Sequence, residues 1–345
     1  MRKGAILLLI LGLVLTACRA STAETTVVAG EPTSTSTSTT VMSETDASDA
    51  LAARQLERNE ILKQELAQLN EMFMSYPMTF DLNSGTFTIE ERPERIVSLS
   101  ASHTEMLYAV GAGDQVVATD LTSNYPAAAE TTVKLDSFQF SIEEVAALEP
   151  DLVILAFDFQ GEAEALSALD IPFVLMGPPE DLLGAFSQLS LVGLVTDHRS
   201  EAEALLSDMN AQLQRIERAS RQIRGRTFYH EVDETLYSAT SASFIGDLYR
   251  YLGLVNIADA AGLDTPFPQL SAEFIVDQNP EFIFLADANF GVTVESVAAR
   301  PGWDSMAAVT EGNLVALDGD LAGRWGPRTI DLMRSILEAV EERLS

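Results

Sequence analysis

The sequence predicts an α/β protein with two similar lobes, each built on a parallel sheet, joined by a single long backbone helix. Two observations predict the lobes: one pattern of fifteen residues occurs twice, and strand and helix signals alternate through both halves of the chain. A third observation predicts the joining helix, because neither Gly nor Pro interrupts the helical stripe between Arg199 and Arg224. Such a segment is expected to be a stiff strut.

The repeated pattern reads SIEEVAALEPDLVIL at 141–155 and SAEFIVDQNPEFIFL at 271–285. In each copy a Ser opens a short helical pattern, a Pro ends it, and a run of apolar residues follows. This is the order expected of a short helix that leads into a buried parallel strand. The pattern therefore predicts the same helix and strand unit in each lobe.

The composition excludes several classes of function. Lys and Arg number 21 against 52 Asp and Glu, so the net charge of −31 argues against binding nucleic acid or an anionic membrane through a basic face. Cys18 is the only cysteine of the 345 residues, which excludes an internal disulfide, a Cys-ligated zinc site and an iron–sulfur cluster. We also expect no covalently bound cofactor.

The N-terminal segments indicate export of the protein and a flexible tether. Residues 1–18 combine two basic residues, a short apolar run and the ending Leu-Thr-Ala-Cys, which resembles a secretory signal closed by the lipobox of bacterial lipoproteins. Acylation of Cys18 after cleavage would anchor the protein on the outer face of the cytoplasmic membrane. Residues 19–48, rich in Thr and Ser, predict a flexible tether, and 49–76 predict an amphipathic helix. An ordinary signal peptide with a chance cysteine is the alternative.

The first lobe begins with strand signals. Alternating apolar and polar residues on both sides of 83–85 predict a β-hairpin, and a strand follows at Ile96–Leu99. Ser102 and Glu105 have the spacing of a capping box, which predicts a helix over 103–110. Later signals, in order, predict a strand over 115–119, the first copy of the repeat, a helix over 162–169 and a strand over 173–176.

After the first lobe the pattern predicts helices and then a second lobe of the same plan. Helical stripes predict one helix over 180–195 and a longer one over about 200–223, which is the strut. The second lobe, in order, should contain a strand over 227–232, a helix over 244–252, the second copy of the repeat, a strand over 314–317 and a helix over 328–343. The boundaries are 77–178 for the N-terminal lobe, 179–224 for the helical segment with the backbone helix, and 225–345 for the C-terminal lobe.

Several ordered motifs resemble those of one family. They are RPERIVSLSASHTEMLYAVGAGDQVVATD, SNYP, a Glu seven residues before PDLVI, PQLSAEFI, GWDSMAAV and GPR, within roughly residues 78–345. The set resembles the class III substrate-binding proteins of bacterial ABC importers, whose ligands include cobalamin, ferric siderophores and haem. The resemblance implies two Rossmann-like lobes that clasp a cobalt or iron chelate and deliver it to a permease dimer with its ATPase. We expect a monomer with no nucleic-acid partner.

The resemblance also assigns a role to the repeated glutamates. In such proteins one acidic residue on each lobe docks with arginines of the permease, and these positions correspond here to Glu143 and Glu273. Both stand two residues after the Ser that opens a copy of the repeat. The alternative is local, because an acid in the first turn of a helix favours the helix dipole without any partner. The shared register favours docking.

The ligand is expected where the parallel strands of both lobes end in loops that face each other. Many candidates are aromatic residues in polar loops, where a core role is less common than on a strand. The candidates are Ser102, His103, Asn124, Tyr125, Phe138, Phe157, Phe159, Glu231, Asp233, Tyr237, Ser241, Phe244, Phe267, Phe290, Trp303, Arg324 and Trp325.

Three ligand classes fit these candidates to different degrees. A polyanionic catecholate siderophore needs several convergent Arg or Lys residues, and the loops offer mainly Arg324. Haem needs partners for its propionates and an axial ligand, either His103 or, by resemblance to haem-binding relatives, Tyr125. For His103 the alternative is a helix-start histidine without a ligand role. Cobalamin or a ferric hydroxamate, being large and neutral or cationic, best fits aromatic walls with Ser, Asn and acidic groups.

An enzyme that uses the cleft is the main alternative from another class, with Glu231, Asp233 and His103 as acid–base groups. Against it, the sequence contains no GxSxG elbow, no P-loop, no GxGxxG and no catalytic Cys. A tethered adhesin or scaffold is a third alternative. The sequence therefore predicts a binding protein and not an enzyme.

Overall fold

The computed structural model describes residues 76–82 and 85–345. The predicted signal peptide with Cys18, the tether, and all but the last residue of the predicted helix over 49–76 lie outside the described residues. Within the described part, no helix is long and apolar enough to span a bilayer.

A β-hairpin precedes the first lobe, as the alternating pattern predicted. Its strands are β1 (Met78–Leu82) and β2 (Gly85–Ile89), which pair antiparallel with Phe80 opposite Phe87. The two rings stack with their centroids 4.9 Å apart, and such a cross-strand aromatic pair stabilises a ribbon of two strands. Ile89 is buried in the main core, so the hairpin packs on the lobe.

The first lobe is built on a parallel sheet of five strands in the order β5-β4-β3-β6-β7. The strands are β3 (Ile96–Leu99), β4 (Val116–Asp120), β5 (Val133–Leu135), β6 (Leu152–Leu155) and β7 (Phe173–Leu175). Every residue of β3 and β6 is buried, as expected of central strands that are covered on both faces. The strands predicted at 96–99, 115–119 and 173–176 are confirmed to within one residue.

Short helices connect these strands. They are α1 (Ala101–Ala109), α2 (Ile142–Ala146) and α3 (Glu162–Ala168), with 3₁₀ turns at Ala112–Gln115 and Ala127–Thr131. The predicted capping box is wrong, because α1 begins after Ser100 and has no side-chain cap. The side chains of Ser102 and Glu105 instead bind residues 324–328, and local spacing does not encode contacts with so distant a segment.

Two packed helices connect the lobes. They are α4 (Leu182–Val195) and α5 (Arg199–Ala219), and a 3₁₀ turn at Ser220–Gln222 continues α5. Gly193 permits their close approach, since a Cβ there would lie 2.3 Å from the Cβ of Ala202. The 21 residues of α5 span about 31 Å, which confirms the predicted long backbone helix.

The second lobe is built on a parallel sheet of four strands in the order β11-β10-β8-β9. The strands are β8 (Thr227–Glu231), β9 (Val255–Asn256), β10 (Phe282–Leu285) and β11 (Leu314–Ala316). The helices are α6 (Phe244–Leu252), α7 (Ala272–Gln278), α8 (Val294–Ala298), α9 (Ala307–Thr310), α10 (Gly319–Ala322) and α11 (Thr329–Leu344), with 3₁₀ turns at Ile257–Ala261 and Ala288–Phe290. The longer predicted elements are confirmed, whereas β9, α8, α9 and α10 are too short to give a periodic signal.

Both copies of the repeat form the same structure. Ser141 and Ser271 are the N-caps of α2 and α7, and each hydroxyl accepts a hydrogen bond from the backbone N–H three residues later. The residue before each Pro has left-handed backbone geometry, with φ of 49° at Glu149 and 47° at Asn279. Each unit then enters an interior strand, β6 or β10. The predicted equivalence of the two units is confirmed.

One apolar core extends through both lobes and the connecting helices. It includes Met106 of α1, Leu189 of α4, Ile216 of α5, Phe228 of β8 and Met333 of α11. Two smaller clusters, around Val153 in the first lobe and Tyr229 in the second, cover the other faces of the sheets. The lobes therefore share a packed base, and the loops at the carboxyl ends of their strands are left for a site.

Candidate functional site

The loops at the carboxyl ends of the strands carry most of the predicted ligand residues. In the first lobe these loops follow β4, β5 and β6, and in the second lobe they follow β8, β10 and β11. Ligands of parallel α/β sheets bind at this edge, because the connecting loops there converge on one crevice.

Three phenylalanines form a stacked row on the first lobe, which we name the phenylalanine row. Phe157 and Phe159 follow β6 and have ring centroids 5.0 Å apart, and Phe138 stacks on Phe159 at 5.8 Å. The side-chain amide of Gln160 donates a hydrogen bond of 3.0 Å to the Phe138 carbonyl, which joins the two loops. The three residues are 42% to 58% exposed, so the row presents an apolar surface that no other described segment covers.

Asn124 and Tyr125 lie in the loop after β4 and contact the second lobe. Asn124 donates a hydrogen bond of 2.7 Å to Asp320. The guanidinium carbon of Arg328 lies 4.0 Å from the centroid of the Tyr125 ring, which is a cation–π contact. Tyr125 is 47% exposed, and its peptide bond to Pro126 is cis. This tyrosine therefore combines an exposed phenol with a fixed ring.

A polar cluster around Lys134 fixes the loop that carries Asn124 and Tyr125. The ammonium of Lys134 donates to the Thr119 hydroxyl at 2.9 Å, to the Asp120 carbonyl at 3.3 Å and to the Ser123 carbonyl at 2.5 Å. Burial lowers the pKa of Lys134, and the nearby charge of Asp120 acts in the opposite direction. The Asp120 carboxylate also accepts hydrogen bonds from the hydroxyls of Thr122 and Ser123. The loop is thus positioned by its own side chains.

A buried carboxylate joins the two lobes. Glu105 of α1 accepts a hydrogen bond of 2.8 Å from Arg324 and two, of 3.0 and 2.5 Å, from Arg328. Arg324 also donates to the Thr122 carbonyl at 2.9 Å and to the Asp320 carboxylate at 2.8 Å. Both Glu105 and Arg324 are buried. Arg324, which was predicted to bind the ligand, is therefore engaged within the protein.

His103 is buried at the same junction. The Gln188 amide donates to the Gly177 carbonyl at 2.7 Å, so its oxygen faces His103 Nε2 at 3.2 Å and accepts from Trp325 Nε1 at 3.0 Å. His103 thus carries its proton on Nε2, and Nδ1 has no partner among the described residues. Burial lowers the pKa of His103 to about 4, so the ring is neutral at pH 7. With His103 at 0% exposure, Tyr125 is the exposed one of the two predicted axial ligands.

Two predicted aromatic ligand residues belong to the core instead. Trp303 is 1% exposed, and its ring lies 6.3 Å from that of Tyr229. Phe244 begins α6 and is buried in the main core. An aromatic residue beside a polar loop is equally common as the buried anchor of a turn or a helix start, and the sequence does not separate the two.

Several predicted polar residues are hydrogen-bonded within the protein. The Ser102 hydroxyl accepts a hydrogen bond of 3.2 Å from the backbone N–H of Trp325, a residue that is itself half-buried. Ser241 donates to both carboxylate oxygens of Asp259, at 2.8 Å from its N–H and 2.6 Å from its hydroxyl. Asp233 accepts a hydrogen bond of 2.8 Å from the backbone N–H two residues later. These contacts position the loops.

The remaining aromatic candidates of the second lobe are exposed. Tyr237 and Phe267 belong to two adjoining loops, joined by a β-bridge between Tyr237 and Gln269. Phe290, in the turn after β10, is 88% exposed. Exposed aromatic rings thus occur in the strand-end loops of both lobes, as the sequence predicted.

A buried charged cluster lies at the ends of β8 and β10. Arg300 donates to both carboxylate oxygens of Glu231, at 2.6 Å each, and Glu231 is 0% exposed. Glu231 is therefore engaged with the arginine. Asp287 is also buried, and no sequence pattern predicted the roles of Asp287 and Arg300 or the contacts of Glu105 with the second lobe. The only signal was the placement of Asp287 after an apolar strand, which many surface residues share.

A cavity of about 310 Å³ lies beside the lobe junction. Tyr108 and Tyr125 line it together with Arg328 and with Asp331 of α11. Its volume is at the lower end for ligand pockets, and its arginine is already bound to Glu105. The cavity thus adjoins the junction and shares Tyr125 with the strand-end loops.

A family model described as "Periplasmic binding protein" matches residues 96–321, which is well over half of the chain and includes both sheets. The chain belongs to the periplasmic binding protein family. The resemblance inferred from the ordered motifs is thereby confirmed.

Known proteins resemble this periplasmic binding protein along most of its length. It is 27% identical to the ABC transporter substrate-binding lipoprotein YvrC of Bacillus subtilis over 275 residues, 77% of this chain and 86% of the relative. It is 25% identical to the vitamin B12-binding protein of Vibrio parahaemolyticus over 281 residues, 79% and 98% of the two chains. The periplasmic heme-binding protein RhuT from Roseiflexus sp. RS-1 has the same fold, with a TM-score of 0.66 at 23% identity over 73% of this chain and 99% of that one.

The repeated glutamates occupy equivalent places in this periplasmic binding protein. Glu143 and Glu273 are the second residues of α2 and α7, and both are exposed. Glu144, the neighbouring acid, is engaged in a capping box with Ser141. The carboxylates of Glu143 and Glu273 form no hydrogen bond or ion pair with the described residues. Each lobe therefore presents one uncompensated carboxylate at the same position.

Proposed function

We propose that this protein is the substrate-binding lipoprotein of an ABC importer. In this proposal it captures a metal chelate, either cobalamin or a ferric siderophore, between its lobes and delivers it to a membrane permease with its ATPase. The relatives named above support this, since one is an ABC transporter substrate-binding lipoprotein and another is a vitamin B12-binding protein. These relatives are transport proteins, and they favour this reading over an enzyme in the cleft.

The observation that carries the ligand class is the phenylalanine row. Its three stacked rings offer an exposed apolar surface, which suits a large chelate better than a small polar solute. The row faces solvent without a covering segment among the described residues. Tyr125, Phe267 and Phe290 supply further exposed rings.

The charges near the cleft favour a neutral or cationic ligand. Arg300 is bound through both amino groups to Glu231, and Arg324 and Arg328 are bound to Glu105. A polyanionic catecholate would need arginines that are available for its oxygens. Cobalamin and ferric hydroxamates do not need them, so they are the preferred ligands.

Haem is the alternative within the same family. Tyr125 presents an exposed phenol, which is a suitable axial oxygen for ferric iron. The propionates of haem, however, would need donors, and the three arginines at the described strand-end loops already bind carboxylates. Haem is therefore the second candidate.

The anchor is part of the same proposal. The lipobox ending at Cys18 supports acylation of that cysteine, and the name of the Bacillus relative supports a lipoprotein. The mature protein would be exported and held by its lipid on the outer face of the cytoplasmic membrane. Mass spectrometry of the N-terminal peptide tests this directly, because acylation adds the mass of the lipid to Cys18.

Calorimetry and visible spectroscopy on the full-length protein in detergent test the ligand class. Cyanocobalamin, a ferric hydroxamate and haemin are titrated separately, and we expect saturable one-to-one binding of one of the first two. Phe159→Ala removes the middle ring of the phenylalanine row and should weaken that binding about tenfold. Leu169→Ala, at an exposed apolar position that follows α3, is the matched control and should not change the affinity.

Other outcomes separate the alternatives. Binding of haemin alone, with a visible spectrum that Tyr125→Phe alters, would establish the haem alternative. Absence of binding to all three compounds would contradict capture of a metal chelate.

A further inference from the structure

Two acidic side chains meet at the carboxyl edge of the second sheet. Strands β8 and β10 are neighbours, and Leu285 pairs with Glu231 at the last position of their ladder. Asp287 follows two residues later, so the chain brings its side chain to the end of the same pair of strands. Glu231 is 0% and Asp287 2% exposed. Both carboxyl groups are thus withdrawn from water.

The cluster has fewer positive charges than negative ones. Arg300 donates to both oxygens of Glu231, at 2.6 Å each, and neutralises that carboxylate. Both oxygens of Asp287 are buried and lack a hydrogen-bond partner among the described residues. The buried hydroxyl of Tyr229, next to the cluster, also lacks a partner there. One more hydrogen-bond donor is therefore needed at Asp287.

A proton on Asp287 supplies that donor. Two facing carboxylates can only accept hydrogen bonds, whereas a protonated Asp287 donates to Glu231. Burial first, and then the charge of Glu231, raise the pKa of Asp287 to about 6, while Arg300 acts to lower it. The negative charge of Asp233 and the phenol of Tyr229 face the same cluster. Asp287 therefore keeps its proton below about pH 6 and loses it as the pH rises towards neutral.

Asp287 also begins the turn that carries Phe290. The turn is the 3₁₀ segment Ala288–Phe290, and the backbone N–H of Phe290 donates a hydrogen bond of 2.8 Å to the Asp287 carbonyl. Gly291, with φ of 96°, ends the turn. Phe290 is 88% exposed, so few contacts besides those of Asp287 fix its place. Because that hydrogen bond joins the two backbones, a displacement of Asp287 would also displace the ring.

We infer that Asp287 is a positioning residue, which shares one proton with Glu231 and thereby fixes the Phe290 turn at the rim of the cleft. Loss of that proton leaves two negative charges opposite one guanidinium in a buried site, and the Asp287 carboxylate then moves to water with its turn. That Phe290 contacts a ligand rests on the proposed function. The proton-linked turn itself does not.

A fluorescence titration without any ligand tests this. Phe290→Trp is introduced into the full-length protein, and the signal of the parent, which contains Trp303 and Trp325, is subtracted between pH 4.5 and 8. We expect a transition with its midpoint near pH 6. Adding Asp287→Asn should abolish it, since an amide donates to Glu231 at every pH. Adding Asp304→Asn, at an exposed aspartate of the same lobe, should leave it unchanged.

A second measurement does not depend on a substitution at the cluster. Carboxyl-carbon NMR of the protein labelled at aspartate should show one aspartate that titrates near pH 6. The inference is overturned if every aspartate titrates near its ordinary value of 3.8, or if the fluorescence transition persists with Asp287→Asn. Because no chelate is used, a negative result here does not contradict the proposed ligand class. Likewise, a failure to bind any of the three chelates does not contradict the proton-linked turn.

Discussion

A single carboxylate, Glu105, holds the last loop of the second lobe against the first. Its partners Arg324 and Arg328 come from more than 200 positions along the chain. The same contact fixes the guanidinium of Arg328 over the ring of Tyr125. Glu105 thus sets the place of a proposed ligand residue while its carboxylate pairs with two arginines.

Glu105→Gln should lower the free energy of unfolding by about 3 kcal/mol, because two arginines at the junction lose their buried counter-charge. Urea unfolding followed by circular dichroism measures the change. Glu338→Gln, at an exposed position of α11, is the control and should change the value by less than about 0.5 kcal/mol. Equal effects of the two substitutions would show that the ion cluster does not stabilise the junction.

The sequence predicts residue roles only where the neighbours along the chain decide them. The exposure of Phe157 and Phe159 follows from their polar loop, and the caps at Ser141 and Ser271 follow from the start of each helical pattern. Glu105 had the spacing of a cap, yet its partners belong to another lobe. Ion pairs between distant segments depend on the finished fold, and a linear pattern does not record them.

The elements α2 and α7 are the clearest product of the repeat. Each begins at a capping Ser and carries an exposed Glu at its second position, without a partner among the described residues. A local role in the helix dipole is worth only about 0.3–1 kcal/mol and applies to any acid in a first turn. The docking hypothesis and the helix-dipole explanation therefore predict different effects on uptake when the charges of these glutamates are reversed.

Glu143→Lys together with Glu273→Lys should abolish uptake of the ligand by cells while leaving its affinity for the purified protein unchanged. The reversed charges would repel the arginines of the permease. Glu164→Lys with Glu295→Lys is the matched control, because these acids also lie in first helical turns, one in each lobe. Loss of affinity in the first pair, or equal loss of uptake in the control pair, would contradict docking.

Elements were predicted better than residues. The repeat, the hairpin and the long helices are confirmed, because apolar periodicity over many residues reports directly on which face is buried. The capping box at Ser102 was wrong and the helix begins earlier, at Ala101. The short elements β9, α8, α9 and α10 went unpredicted because packing alone stabilises them.

Buried titratable groups in both lobes make the stability of the whole molecule depend on pH. Burial lowers the pKa of His103 and of His230 to about 4, from 6.5. The unfolded chain therefore binds these protons more tightly, so their contribution to stability is complete above pH 6.5 and is lost as the pH falls towards 4. The contribution of Asp287 to stability depends on pH in the opposite direction. It is complete below pH 3.8 and is lost as the pH rises through about 6.

Urea unfolding between pH 4.5 and 7.5 should therefore show a free energy of unfolding that falls on acidification, since two histidines outweigh one aspartate. His230→Gln should flatten this dependence and Asp287→Asn should steepen it, because each removes one of the opposed contributions. Slopes that remain equal to that of the parent protein in both variants would contradict the assignment of these groups.

The equivalence of Glu143 and Glu273 has a consequence for the docking that the sequence predicts. A permease with two-fold symmetry offers the same contact to either lobe, so the binding protein can arrive in two orientations related by a half-turn. Two productive orientations add RT ln 2, about 0.4 kcal/mol, to the association free energy. A binding protein that meets the permease rotated by a half-turn would then still be in a productive orientation and would not need to dissociate and rebind.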